Sequence, residues 1–355
     1  MATGEAPRGR FFEDFQIGQR FQHATPRTLH GGDLSLYIAL TGDRRPLSSS
    51  TEFSRSLGFV RECAHDLLGF HTVFGKTVDD ISRNAVANLG YARVLFHRPI
   101  YPGDTVTAES EVIGLRELSD GKRGIVYVSS RGHNQKGQDL VSLVRWVMVP
   151  KRDVAAPAPT AVVPTLPALV SADELPVPEA LNLSRFPDLR WCTGGTRLWG
   201  DYAAGERISH GGGMTIDEAD HTMATRLYQN SARVHFDALA ARATPAGKRL
   251  VYGGHVVSVA YALAYSGLEN ALRMAAWNSG SHVNPTYAGD TIYAWTDVVE
   301  RAEVRGRTDV GALRLRLVAV KDVDPSLDEV AAPVGGKGGD PRVVLDLDYW
   351  ALMPR

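Results

Sequence analysis

Residues 99–112 read PIYPGDTVTAESEV, and residues 285–298 read PTYAGDTIYAWTDV. Gly103-Asp104-Thr105 in the first stretch meets Gly289-Asp290-Thr291 in the second. In both, a Gly-Asp turn former runs into residues that alternate apolar and polar, the period of a half-buried strand. Working outward, the same correspondence continues in both directions. Upstream, FEDFQIGQRF at 12–21 meets WGDYAAGERI at 199–208, pairing Asp14 with Asp201, Gly18 with Gly205 and Arg20 with Arg207. At the same offset His23 meets His210, Thr28 meets Thr215 and Leu40 meets Leu227. Downstream, WVMVP at 146–150 meets WALMP at 350–354. The wider spacing there calls for extra loop in the second copy, and the run Gly335-Gly-Lys-Gly-Gly339 is the natural insertion. Three ordered matches mean an internal duplication.

The duplication divides the chain into an N-terminal domain at 1–153, a Pro/Ala-rich segment at 154–188 and a C-terminal domain at 189–355. Prolines fix φ and remove donors, so the middle segment is expected to be an extended linker outside the core. Within each copy a helix comes first. In the second copy it is expected from Thr215 to about Leu227, with Thr215 and Glu218 as a capping box and Ile216, Ala219, Met223 and Leu227 at helical spacing. In the first copy Leu34, Tyr37 and Leu40 hold the corresponding places. Next, Gly253-Gly254 opens a long Ala-rich apolar stretch, read as a tight turn feeding a buried helix. The first copy offers Phe74-Gly-Lys-Thr77 before a similar stretch ending near Leu89, which sets Lys76 against Gly254. Strand-like alternation then covers 105–112, 124–130 and 141–149, and again 291–298, 312–320 and 343–353. One buried helix followed by several antiparallel strands, twice over, gives an α+β fold: a tandem double hot-dog, each half a sheet wrapped around a central helix.

Composition removes several function classes. Among 355 residues, 39 basic and 40 acidic side chains leave a formal net charge of −1, and the basic residues are scattered, so nucleic acid is not an expected partner. No long apolar run suggests a membrane span and the N-terminus has no apolar leader, so a cytoplasmic location is expected. The two cysteines, Cys63 and Cys192, suit reduced thiols, and the eleven histidines show no ligand spacing, so no metal is expected. His210-Gly-Gly-Gly213 is read as a turn, because no nucleophile elbow exists for it to serve.

The Pro-x-Tyr-x-Gly-Asp-Thr block before a strand resembles the signature of the MaoC-like dehydratases, the (R)-specific enoyl-CoA hydratases. Longer stretches, among them 73–77, 226–230, 233–236, 252–255, 284–295 and 307–314, are similar to the mesaconyl-CoA hydratases of that family. The resemblance implies reversible water addition to a short branched enoyl-CoA, with coenzyme A entering as part of the substrate and no other cofactor. It also suggests a homo-oligomer. The family's catalytic motif is Gly-Asp-x-Asn-Pro-x-His, and neither half keeps it whole. The first half has Gly42, Asp43 and Pro46 but Ser48 in place of the histidine; the second has His235 but Asn230 in place of the aspartate.

Hydration needs a group to orient water, a group to carry protons and donors for the enolate oxygen. His235 is the expected proton carrier and Asn230 the water-orienting amide, with the Gly254 N–H at the helix start as oxyanion donor. Gly253, His255, Arg233 and Asp237 are expected around the substrate, Arg233 as a partner for a substrate carboxylate and Asp237 as an assisting base. The first half is expected to be degenerate. Three alternatives stay open: a hydratase for itaconyl-CoA or a crotonyl-type substrate, a hot-dog thioesterase for which Glu269 is the one helix carboxylate on offer, and a non-catalytic acyl-CoA-binding protein.

Overall fold

The structure is a computed structural model that describes residues 9–333 and 339–355. The glycine-rich run expected as the second copy's inserted loop therefore lies, apart from Gly339, outside the described residues. Among the described residues twelve strands form one sheet. They are β1 (Arg20–Gln22), β2 (Arg27–Thr28), β3 (Ala87–Phe96), β4 (Thr105–Glu117), β5 (Arg123–His133) and β6 (Asp139–Pro150), then β7 (Arg207–Ser209), β8 (Met214–Thr215), β9 (Arg273–His282), β10 (Thr291–Glu303), β11 (Val310–Lys321) and β12 (Val343–Pro354). Their order is β1-β4-β5-β6-β3-β9-β12-β11-β10-β7, with β2 added beside β4 and β8 beside β10. The second half of that order repeats the first in mirror sequence, which is the duplication expressed as topology. The halves join at β3 and β9, which pair antiparallel with Tyr91 opposite Gly280 and Val94 opposite Trp277.

Four longer helices complete the halves: α1 (Gly31–Thr41) and α2 (Asp66–Thr77) in the first, α3 (Glu218–Leu227) and α4 (Gly253–Leu263) in the second. α2 packs on β4, β5 and β6, and α4 on β10, β11 and β12. Both are buried nearly all round, α2 from Leu67 to Thr77 and α4 from Gly254 to Ala262. Each sheet half thus covers its own helix, the double hot-dog arrangement. In the strands, buried residues alternate along β6 from Leu143 to Val149 as the sequence pattern requires. Trp277 on the seam is fully buried against Phe70 at 4.6 Å and Tyr91 at 5.5 Å between ring centroids. One such aromatic removes a few kcal/mol worth of apolar surface from water, roughly 3 kcal/mol, so the seam is core and not a loose domain contact.

Three expectations are corrected. The second-half helix starts at Glu218, not Thr215. Thr215 lies in β8, its hydroxyl 2.8 Å from that of Thr291, and Asp217 precedes the helix with its N–H donating to the Asp220 carboxylate at 3.2 Å. Phe74-Gly-Lys-Thr77 ends the first central helix instead of opening it, and the stretch toward Leu89 turns into β3. In the repeat register Leu67 therefore stands against Gly254, while Lys76 sits at the far end of α2 and donates to the Thr25 carbonyl. Finally, the Pro-rich segment is extended but not outside the core. Val170, Leu175, Leu181, Leu183 and Phe186 are buried with Trp350 and Val310, and Val170 is tied by Asn278 Oδ1 at 2.8 Å and by the Trp350 indole N–H at 3.0 Å. Prolines dictated the extended backbone; the apolar residues between them supplied the docking.

Candidate active site

A cavity of about 270 Å³ opens where the two halves meet. Its second-half wall carries Asn230, Ala232, Val234, His235, Tyr252 and Gly253, and its first-half wall carries Phe74, Asn88, Tyr91 and Arg145. Two loops of the second half place the polar groups. α3 ends through Gln229, whose φ of 55° turns the chain in the left-handed region and delivers Asn230. Asn230 is buried, its N–H donates to the Thr225 carbonyl at 2.9 Å, and its Oδ1 accepts from the Ala232 N–H at 3.2 Å. That leaves the side-chain NH2 as the group it can offer the cavity. A single helical turn, Arg233–Phe236, then presents His235.

The His235 ring is fixed by one contact: Nδ1 lies 2.8 Å from the Leu250 carbonyl. A carbonyl only accepts, so Nδ1 carries the proton and Nε2 keeps its lone pair. Burial pushes the imidazole down to about 4, against the Leu250 carbonyl, which favours the charged form. His235 is therefore neutral at physiological pH, with one basic nitrogen available. Its ring stands 5.7 Å from that of Tyr252, the residue before α4.

Gly253 begins α4, and no acceptor serves its N–H or that of Gly254 among the described residues. Open first-turn amides carry partial positive charge. Of the two, Gly253 lines the cavity and Gly254 does not, so the structure puts the exposed helix start one residue earlier than the sequence suggested. A Cβ on Gly253 would come 2.5 Å from the His282 ring, and glycine there lets that imidazole lie on the backbone.

The remaining expected residues are elsewhere. His255 points into the core, buried, with Nδ1 3.3 Å from the Tyr228 hydroxyl, and does not reach the cavity. Arg233 and Asp237 face solvent and pair with each other at 3.8 Å; Asp237 also caps the next turn by accepting from the Ala240 N–H at 3.0 Å. Neither lines the cavity, so Arg233 cannot meet a substrate carboxylate there and Asp237 cannot assist as base. Glu269, the carboxylate on which a thioesterase reading depended, falls after α4 and accepts from the Gly267 N–H at 2.8 Å, outside the cavity. No cluster of His, Cys, Asp or Glu suited to a metal occurs among the described residues, and no described helix is long and apolar enough to cross a membrane.

Sequence reasoning missed His282, Asn88, Tyr91 and Arg145. His282 lines the cavity with Nε2 3.2 Å from the Tyr91 hydroxyl, and burial pushes it to about 4. Nothing in the local sequence marked it. Arg145 had a signal: it occupies an inward-facing position of a strand whose neighbours in register, Leu143 and Val147, are apolar.

The pseudo-equivalent place in the first half is nearly filled, a void of about 10 Å³. Ser48 stands where His235 does, Asp43 where Asn230 does and Asp66 where Gly253 does. Arg45 projects into the space, ion-paired with Asp43, and lies over the Tyr261 ring at 3.7 Å. His65 approaches Asp43 at 3.5 Å, and Arg273 closes the other side against Asp66 at 2.7 Å. With no room for a substrate, Ser48→Ala is expected to leave turnover nearly unchanged. A fall of about 100-fold in kcat/KM, on the order of 3 kcal/mol, would contradict that.

The buried imidazoles also set an acid limit on stability. His210, His221, His235 and His282 are held down to about 4 and His255 to about 3, each chiefly by burial. Nε2 of His255 has no hydrogen-bond partner among the described residues, and for His221 burial outweighs the Glu218 carboxylate and the His235 backbone, which favour its charged form. In the unfolded chain these groups take up protons below about pH 6.5. The unfolded state thus binds more protons between about 6.5 and 4, and stability is complete above that window and lost as pH falls through it. Thermal midpoints measured from pH 8 to 4 are expected to hold and then drop below about 6.5; a flat profile to pH 4.5 would refute the assignment of neutral, buried rings.

Comparison with known proteins agrees with this geometry. A family model described as mesaconyl-CoA hydratase matches residues 2–328. The chain is 52% identical over 347 residues to a β-methylmalyl-CoA dehydratase from Chloroflexus aurantiacus, covering 98% of this chain and 97% of that one. It superposes with a TM-score of 0.93 and 51% identity on the crystal structure of a MaoC domain protein dehydratase from the same organism, covering 99% of both chains. A double-hotdog protein from Mycobacterium tuberculosis matches with a TM-score of 0.77 at 25% identity, over 98% of this chain and 99% of that one. With its duplicated hot-dog sheet, the cavity at the seam and these near-full-length matches, the chain belongs to the mesaconyl-CoA hydratase family.

Proposed function

We propose that this chain catalyses the reversible hydration of mesaconyl-CoA to β-methylmalyl-CoA, with the second half supplying the proton-handling groups and the first half a wall of the acyl pocket. The observation that carries the reading is the neutral His235 imidazole, locked by Leu250 and set in the same cavity as the open start of α4. In the hydration direction, His235 Nε2 takes a proton from a water oriented by the Asn230 amide, and the water oxygen bonds to the β-carbon. The double-bond electrons move to the thioester, whose oxygen is stabilised by the Gly253 N–H at the helix start. The imidazolium then returns the proton to the α-carbon, so one water adds and the imidazole ends neutral. Asn230 has no basic form, so a single residue makes both transfers.

The experiment is to follow the enoyl-thioester absorbance of mesaconyl-CoA mixed with the protein while assaying free thiol. The proposal expects absorbance to fall to an equilibrium without thiol release. No change in absorbance, or release of coenzyme A, would refute it.

A further inference from the structure

Arg145 is fully buried on β6 and has no acidic partner among the described residues. Nη2 donates to the Thr77 hydroxyl at 2.8 Å and the Ser82 hydroxyl at 3.2 Å, and the guanidinium lies over the Phe74 ring at 4.3 Å. Nε and Nη1 are buried with no hydrogen-bond partner among the described residues. Burial lowers this group to about 10, so it is still a cation at neutral pH. An uncompensated buried charge is strongly destabilising, and a fold keeps one only where something answers it.

Beside it on β3 is Asn88, opposite Val147 and so two residues along the same face. Both its Nδ2 and its Oδ1 are buried without a partner among the described residues. Arg145 and Asn88 both line the cavity that holds His235, and contacts run from the guanidinium to Phe74, on to Tyr252 at 5.4 Å and to His235 at 5.7 Å. Arg145 and Asn88, which between them carry three donor groups without a partner among the described residues, therefore line one small pocket that also contains the proton carrier.

We propose that Arg145 and Asn88 receive a free carboxylate on the acyl group, and that this pair restricts the enzyme to enoyl-CoA substrates bearing a carboxylate on the β-carbon. The inference rests on the hydratase reading and names its specificity residues. The chemistry gives such a cation a second use. A carboxylate on the carbon under attack repels an incoming hydroxide-like oxygen, and pairing it with a guanidinium removes that repulsion. Arg233, the expected partner, is outside the cavity and already faces Asp237.

The test uses unreactive saturated ligands, so that binding is read apart from catalysis. Isothermal titration of the full chain with succinyl-CoA and with butyryl-CoA is expected to show a preference for succinyl-CoA of about tenfold or more, the scale of a charged hydrogen bond. Arg145→Gln should abolish that preference while leaving butyryl-CoA binding in place. Asn88→Asp keeps the guanidinium and the side-chain size but supplies a fixed carboxylate, and should abolish it too, which covers the case of an Arg145 variant that does not fold. Absence of the preference in the unaltered protein, or its survival in both variants, would overturn the proposal. If the preference and its loss are seen but mesaconyl-CoA is never hydrated, the carboxylate site stands and the hydratase reading falls. Hydration of mesaconyl-CoA at an unchanged KM in Arg145→Gln would do the reverse.

Discussion

Replacing His235 by asparagine is expected to lower kcat on mesaconyl-CoA by about 10³-fold, within the range of general acid–base catalysis. That corresponds to roughly 4 kcal/mol of transition-state stabilisation. Asparagine is chosen because its NH2 takes the place of the imidazole Nδ1 and can still donate to the Leu250 carbonyl, the contact that fixes the imidazole at 2.8 Å. The loop from Arg233 to Leu250 then keeps its anchor, and the thermal midpoint should hardly move. The effect should fall on kcat far more than on KM, because the lost function is proton transfer and not substrate contact. The loss should also be large because Asn230 cannot stand in as a base, and because Asp237, the nearest carboxylate in sequence, faces Arg233 in solvent. A variant within tenfold of the unaltered protein would mean that another group carries the proton.

The largest effect on stability is expected at Gly75, far from that histidine in sequence but adjacent to its loop in space. A Cβ on Gly75 would lie 1.8 Å from the backbone oxygen of Tyr228 and 3.3 Å from the carbonyl carbon of Gln229. Helix α2 of the first half therefore touches the very turn that delivers Asn230, at a distance only glycine permits. The obstacle is backbone, so no rotamer change relieves it, and α2 is buried against the sheet on its other side. Overpacking costs typically 1–3 kcal/mol, and Gly75→Ala should reach the top of that range, about 3 kcal/mol, or a fall in thermal midpoint of about 4 °C for a chain of this length. Activity should drop as well, since the only way out is to move the Tyr228–Asn230 turn. Gly32→Ala is the control: it adds a methyl to the first turn of α1 with nothing within 4 Å, and should be neutral or slightly stabilising.

Much of this fold was legible because the duplication gave every pattern twice. The Gly-Asp turns and the strands after them were read from two copies that check each other, whereas the helix start at Gly253-Gly254 was read from the second copy alone. What escaped was the seam. β3 and β9 sit in the middle of the continuous sheet, and β9 is buried along most of its length, so Arg273–Ala276 shows no alternation of period two. The first central helix was misplaced for a related reason. A short, wholly buried apolar stretch has no face to mark its period, so Leu67–Thr77 gave no sign of where it began. That error carried Lys76 into a false match with Gly254.

At the site, the histidine and the amide were legible because they stand in the remains of a motif. Arg233, Asp237 and His255 were chosen by nearness in sequence, and a single helical turn sends neighbours in opposite directions. The first-half wall could not be found that way, since Asn88, Tyr91 and Arg145 meet His235 only through the pairing of β3 with β6 and β9. An arginine in the inward register of an apolar strand was the one sign available.

The most direct test of the account is a crystal structure of the protein with methylsuccinyl-CoA, the saturated counterpart of the proposed substrate. The acyl carbons should occupy the seam cavity, with the β-carbon reachable from His235 Nε2 directly or through one water, about 3 to 6 Å, and the thioester oxygen toward the Gly253 N–H. An acyl chain seated against Ser48 and Arg45 of the first half, or one held beyond the reach of His235, would contradict it.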